Sequence, residues 1–233
     1  RQIGIYMGIG VIVALHWLCF FGAIKLSNAS ITLVCMATAS FFTAVLEPIM
    51  MRQKFKAEEL LLGLLIIPGM VLIVRSTELS MVTGIWVGLL SAFLAALFAT
   101  LNKKFINRAD PLGITFLELG SGWAFLSLCL PFIVQKDTPF WPSWMDWGYL
   151  AILAFACTTL AYVLALRSLR FLSAFASNLT VNLEPVYGIL LAWLILKENE
   201  ELHPQFYWGV LIILLAVFTY PLLRRWRKKR TTG

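Results

Sequence analysis

Apolar runs of about 20 residues follow one another along nearly this whole chain, with only short polar breaks between them. That length is what a helix rising 1.5 Å per residue needs to cross the hydrocarbon of a bilayer. Of the 233 residues, 60% are hydrophobic and 13% charged, and the mean hydropathy is +0.84, more apolar surface than a soluble domain of this size can hide. The chain therefore reads as an all-α, polytopic integral membrane protein, since a helix satisfies all its backbone donors and acceptors within itself. Eight spans can be drawn, at 3–24, 29–50, 60–74, 82–101, 112–134, 147–166, 172–196 and 205–223.

The net charge of +7 comes from basic residues at the ends of these spans, which argues against a nucleic-acid partner and for positive-inside placement. With the C-terminal tail in the cytoplasm, 15 of the 19 Lys and Arg residues fall on the cytoplasmic side, leaving Lys25, Arg75, Lys136 and Lys197 opposite. Both ends of the chain are then cytoplasmic. RRWRKKR (224–230) reads as a topology anchor or a grip on anionic lipid. TPFWPSWMDW (138–147) reads as an interfacial loop with aromatic anchors.

Cys19, Cys35, Cys129 and Cys157 all lie inside spans, without metal-type spacing or a disulfide framework, and read as small packing residues. No cofactor is expected, and the absence of a phosphate-cradling Gly–Lys loop argues against an ATP-driven pump. No signal peptide precedes the first span. GIYMG (4–8) and GIWVG (84–88) have the small-residue spacing that lets helices approach closely. The sequons at Asn28 and Asn178 fall at or within spans and are discounted.

One span breaks the apolar rule. SAFASNLTVNLEPVYGILLAW (173–193) places Ser173, Ser177, Thr180, Glu184 and Tyr187 on a single helical stripe. Pro185 lacks an N–H, so it frees the carbonyl of Val181 and is expected to kink the helix. An acid, hydroxyls and a freed carbonyl at one depth call for water or a ligand beside them.

A shift of 145 residues lays Lys25 over Arg170, Ala29 over Ala174 and Arg52 over Lys197; Gly63 falls one residue from Gly209. The charge count puts the members of each basic pair on opposite sides, so the two copies are inverted, as in many secondary transporters. One copy has three spans and the other five. Two further spans ahead of Arg1 would restore symmetry, making ten in all.

ALRSLRFLSAFASNLTVNLEPVYGILLAWLILKENEEL (165–202), followed by WGVLIILLAVF (208–218), resembles the EamA domain of the drug/metabolite transporter superfamily. FFGAIKLSNASITLVCMATASFFTAVLEPIMMRQKF (20–55) resembles the matching part of a first EamA copy. The resemblance implies a ten-helix, two-fold inverted-repeat fold of five plus five helices, with residues 1–76 the remainder of the first repeat. Residues 77–233 would form the second repeat and its basic tail. It further implies a central cavity lined partly by the spans at 3–24, 29–50, 82–101, 147–166 and 172–196. A multi-pass protein of a bacterial plasma (inner) membrane is implied, exporting amino-acid-like or drug-like compounds, with a homodimer left open. The family's small residue plus proline is replaced in the first copy by Ala39-Ser40, with Glu47-Pro48 eight residues on, so the first bend is expected to be displaced or weaker.

Candidates for substrate binding or proton coupling are Glu184, His16, Tyr162, Thr180, Ser177, Glu118 and Thr158. Each intramembrane acid must face protein, water or a partner, because an unpaired charge in hydrocarbon costs several kcal/mol. Glu184 reads as a substrate-contacting or proton-carrying carboxylate, or as a structural hydrogen-bonding group at the Pro185 bend; its natural partners are the hydroxyl stripe below it and His16 or Tyr162 across the gap. Glu118, beside Gly120 and Gly122, divides between structure and transport, and His16 between packing and cavity. Tyr162 and Thr158 put a hydroxyl stripe on their span. Glu47 is expected to pair with Arg52 at the interface, although Ser40, Thr43 and Glu47 share a face that could edge a cavity. Asn178 and Asn182 read as hydrogen-bonding links between helices.

A secondary transporter working by alternating access on small metabolites, driven by protons or by exchange, accounts for these features. The alternative is a membrane-embedded enzyme acting on lipid or lipid-linked sugar. It would need acids, His or a metal set clustered near one face, whereas His16, Glu47, Glu118 and Glu184 are spread in depth. A scaffold or receptor explains neither the repeat nor the Glu184-Pro185 pair.

Overall fold

The computed structural model describes residues 2–133, 141–181, 184–197, 204–212, 214, 215 and 219. Among these there is no strand; the order is α1 (Gln2–Leu26), α2 (Ala29–Ala37), α3 (Ala39–Met51), α4 (Ala57–Ser76), α5 (Val82–Phe105), α6 (Pro111–Ile133) and α7 (Trp144–Ile152). A π-helical stretch, Leu153–Leu160, joins α7 to α8 (Ala161–Leu169), and α9 (Ala174–Val181), α10 (Glu184–Leu191) and a second π-helical stretch, Ala192–Leu196, follow. A further helix occupies 204–212.

Among the described residues, five stretches are long and apolar enough to cross a membrane: Gln2–Leu26, Ala29–Met51, Leu79–Arg108, Pro111–Phe132 and Trp144–Leu169; Tyr187–Leu196 is a shorter apolar helix. The expected span at 60–74 is α4, the one at 172–196 is described as α9 and α10 on either side of 182–183, and the last is described mainly as 204–212. Asn182, Lys136, the loop 198–203 and the basic tail 224–230 lie outside the described residues.

Local chemistry sets the helix ends. Asp110 accepts the N–H of Leu112 at 2.9 Å, and Pro111, whose missing N–H costs nothing in a first turn, opens α6. Ser143 and Asp146 cap each other reciprocally, so the sixth expected span starts at Trp144 rather than 147. The interfacial segment thus ends in a helix whose first turn exposes Trp144. Asn28 caps α2 by accepting from the N–H of Ile31 at 2.9 Å, so this sequon side chain is engaged within the fold. The first copy's interruption falls at Thr38, whose hydroxyl donates to the Cys35 carbonyl at 2.7 Å, while Pro48 sits inside α3. The break is therefore not displaced to Pro48. A threonine stands where the other copy has proline nearby.

The chain divides into two compact units. One comprises residues 1–14 and 101–173, where α8 packs on α6. Here α1 crosses α6 closely: a Cβ on Gly10 would meet the carbonyl oxygen of Glu118 and Oγ of Ser121, and one on Gly122 would lie 3.0 Å from the Gly10 carbonyl oxygen. Gly4 and Gly8 of GIYMG have open space among the described residues, so that motif is not the crossing point. Gly10→Ala is expected to destabilise by about 1–3 kcal/mol through overpacking. Gly4→Ala should leave the thermal unfolding midpoint in detergent micelles unchanged.

The other unit comprises 15–100 and 174–233. Its core gathers Ile31, Val34, Cys35, Met70, Ile73, Ile85 and Phe206. GIWVG does make a close approach here: a Cβ on Gly84 would lie 2.6 Å from Ser27 Cβ, and one on Gly88 3.0 Å from Cys35 Cβ. Ala39, Ala92 and Ala95 form a second buried cluster where small side chains bring helix backbones together.

Candidate functional site

Within the first unit, an antiparallel helix pair carries a buried carboxylate. Asn102 lies eight residues before the Asp110 turn and Glu118 eight residues after it, which puts them at one depth on α5 and α6. Glu118 is 0% exposed and Asn102 2%. Asn102 Nδ2 donates to Glu118 Oε2 at 3.1 Å, and the Tyr162 hydroxyl on α8 donates to the same oxygen at 2.5 Å. Asn102 Nδ2 also reaches the Tyr162 oxygen at 3.2 Å, closing a triangle. An O–H donor at this distance marks a strong bond, and no cation among the described residues bonds the carboxylate. Glu118 Oε1 and Asn102 Oδ1 are buried with no hydrogen-bond partner among the described residues. A carboxylate satisfied on one oxygen only is suited to exchanging a proton or a donor at the other.

His16, in the second unit, is enclosed between α1 and α5. Its Nδ1 lies 2.9 Å from both the carbonyl oxygen and the hydroxyl of Ser91. Ser91 Oγ donates back to the His16 carbonyl at 3.1 Å, and the ring meets Phe98 edge-on at 5.5 Å between centroids. These contacts make His16 a link between α1 and α5.

The polar stripe is distributed over two helices. Ser177 is half-buried on α9, where the exposed Thr180 returns its hydroxyl to the Ala176 carbonyl at 3.1 Å. Glu184 is exposed, the first described residue after 182–183. Pro185 lies in a helical stretch; residues 182–183, where its kink was expected, and its own side chain lie outside the described residues. Thr158 is half-buried in the π-helical stretch, where Thr159 Oγ1 donates to the Ala154 carbonyl at 2.8 Å. The Tyr162 hydroxyl donates to Glu118.

Glu47 also differs from expectation. It is buried on α3 and accepts from the backbone N–H groups of Ala174 and Phe175 at 3.2 and 2.8 Å. Asn178 donates to Thr43 Oγ1 at 2.7 Å, the interhelical link foreseen for it. Sequence reasoning missed Asn102, hidden beside Lys103 and Lys104 in a segment read as a charged span end. Its matching distance from the Asp110 turn is the signal that could have found it.

Residues 82–220, more than half of the chain, match the EamA-like transporter family. A Bacillus subtilis (strain 168) protein named as the uncharacterized transporter YxxF is 26% identical over 233 residues, which cover 96% of this chain and 71% of that one. A solved crystal structure, 14% identical, superposes with a TM-score of 0.63 over 91% of this chain and 74% of its own, showing a shared fold. The buried polar centre on α6 and the helical segments α9 and α10 fall inside the matched region. With its membrane-length apolar helices, the chain is an integral, multi-pass membrane protein and belongs to the EamA-like transporter family.

Proposed function

We propose that this protein is a secondary transporter that moves small metabolites, amino-acid-like or drug-like, by alternating access, in the export direction across a bacterial inner membrane. The observation that carries the reading is the fully buried Glu118, held by Tyr162 and Asn102 within an apolar helix of a transporter-family chain. A soluble-facing or lipid-facing scaffold has no use for an acid so placed. Glu118 and Tyr162 form the coupling centre in this account. Ser177, Thr180 and Glu184 contact substrate, and His16 fixes the neighbouring helices.

Local geometry supports the internal repeat. α2 and α9 start at the aligned Ala29 and Ala174. Arg52 and Lys197, aligned by the same shift, are the two non-glycine residues with positive φ among the described ones, at 54° and 58°. Each ends its helix in the left-handed conformation. This repeat, together with the distribution of Lys and Arg, supports the reading of an inverted-repeat arrangement with cytoplasmic ends.

Uptake and efflux of a panel of such compounds in vesicles holding the full-length protein tests the reading, with Glu184→Gln alongside. Saturable movement above empty vesicles is expected for at least one compound, with a loss of about tenfold in the variant. Transport unchanged by the substitution removes Glu184 from the mechanism. Turnover of a lipid without transport would replace the reading with the enzyme one.

A further inference from the structure

A helix that starts in a buried place leaves N–H groups that must find acceptors. The first two residues of α9, Ala174 and Phe175, are 0% and 1% exposed, and Glu47 supplies one carboxylate oxygen to each N–H. One turn away on both helices, Thr43 Oγ1 accepts from the Asn178 amide at 2.7 Å. The Thr43 hydroxyl proton is already committed to the Ala39 carbonyl at 2.7 Å, so its oxygen is left to accept. The two contacts run antiparallel along a single polar seam between α3 and α9. In the repeat, α3 belongs to the first copy and α9 to the second, so the seam joins the copies.

We propose that this seam is a releasable latch, with Glu47 the positioning residue that holds α9, and with it Ser177 and Thr180, against α3 in one state of the transport cycle. The proposal rests on the alternating-access reading given above. Its polarity is the reason it can release. Two apolar helix faces gain nothing from water when they part, whereas a carboxylate and the positive end of a helix are both rehydrated. A seam of this kind holds firmly when dry and opens at modest cost where water can enter. Glu47 lies five residues before Arg52 and α9 starts four after Arg170, so the charge distribution puts the seam at the cytoplasmic end. The state described here is the one closed at that end.

The test uses the full-length protein carrying Thr43→Cys and Asn178→Cys together, reconstituted in vesicles. Under oxidant the pair should cross-link, and transport should fall at least about tenfold and return with reductant, while each single variant keeps its transport under the same oxidant. A pair that fails to cross-link, or a cross-linked protein that still transports at the uncross-linked rate, overturns the latch and leaves the transporter reading standing. If the wild type and single variants move no solute at all, the transporter reading itself fails. Hydrogen–deuterium exchange of the wild type in nanodiscs then decides the latch without a substrate. A latch predicts exchange of the Ala174 and Phe175 amides at least about tenfold faster than at the equally buried Ile31 and Val34. Equal protection means a static cap and overturns it.

Discussion

Glu118→Gln in the full-length protein is expected to cut gradient-driven transport by about tenfold or more while leaving a folded, membrane-inserted protein. Glutamine has nearly the shape of glutamate, and its one oxygen can still accept from Tyr162 and Asn102, which both address Oε2. The new amide nitrogen replaces Oε1, which has no hydrogen-bond partner among the described residues, so the substitution leaves a buried donor and a stability loss of about 1–3 kcal/mol. A loss of that size leaves the folded state populated, so it can be told apart from the functional effect. Only a carboxyl can take up and release a proton, and glutamine fixes the site in one charge state. Transport assays and unfolding curves on the same preparation separate the two effects. Normal transport by the variant would reduce Glu118 to a packing group.

Glu47→Ala should be the most destabilising single change in the second unit. It strips the acceptor from two buried N–H groups at once, at about 1–3 kcal/mol for each unsatisfied donor. Glu47→Gln keeps one acceptor oxygen and loses the charge that faces the positive helix end, so it should fall between wild type and alanine. Arg52→Gln supplies the control. Had Glu47 been held by an ion pair with Arg52, both substitutions would destabilise alike. In this structure Arg52 is exposed and ends α3, and its replacement should shift the thermal midpoint little. Unfolding in detergent micelles, followed by the exposure of buried Cys35, reads all three variants.

What could be read in advance followed local rules. Apolar runs locate the helices because a bilayer requires a nearly fixed length, and Asp110-Pro111 marks a helix start by capping chemistry alone. Ser143 and Asp146 carry the same kind of signal, and overlooking it set the sixth expected span three residues late. The small-residue motifs show the limit of local reading. GIWVG packs closely and GIYMG does not, since the same spacing serves only where a partner backbone arrives, and that partner meets α1 at Gly10.

Intramembrane acids were legible as residues needing partners, and their partners were not. Glu118 meets Tyr162 from 44 positions away, and Glu47 meets Ala174 from 127 away. Such pairings depend on how helices turn about their axes, which an apolar span leaves undetermined because its hydrophobicity extends all round. One long-range correspondence drawn from the sequence does meet a matching local geometry. A fixed shift of 145 residues links Arg52 to Lys197, and both adopt the left-handed helix-ending conformation.

The central claim is that solute crosses through a site opened to one side at a time. Counterflow tests it most directly: vesicles holding the full-length protein are loaded with an excess of unlabelled compound, and entry of the same compound in labelled form is followed. Alternating access predicts a transient accumulation of label above its outside concentration, driven by exchange and absent from empty vesicles. Label that only equilibrates, or that never enters although the protein is folded and inserted, would contradict the account.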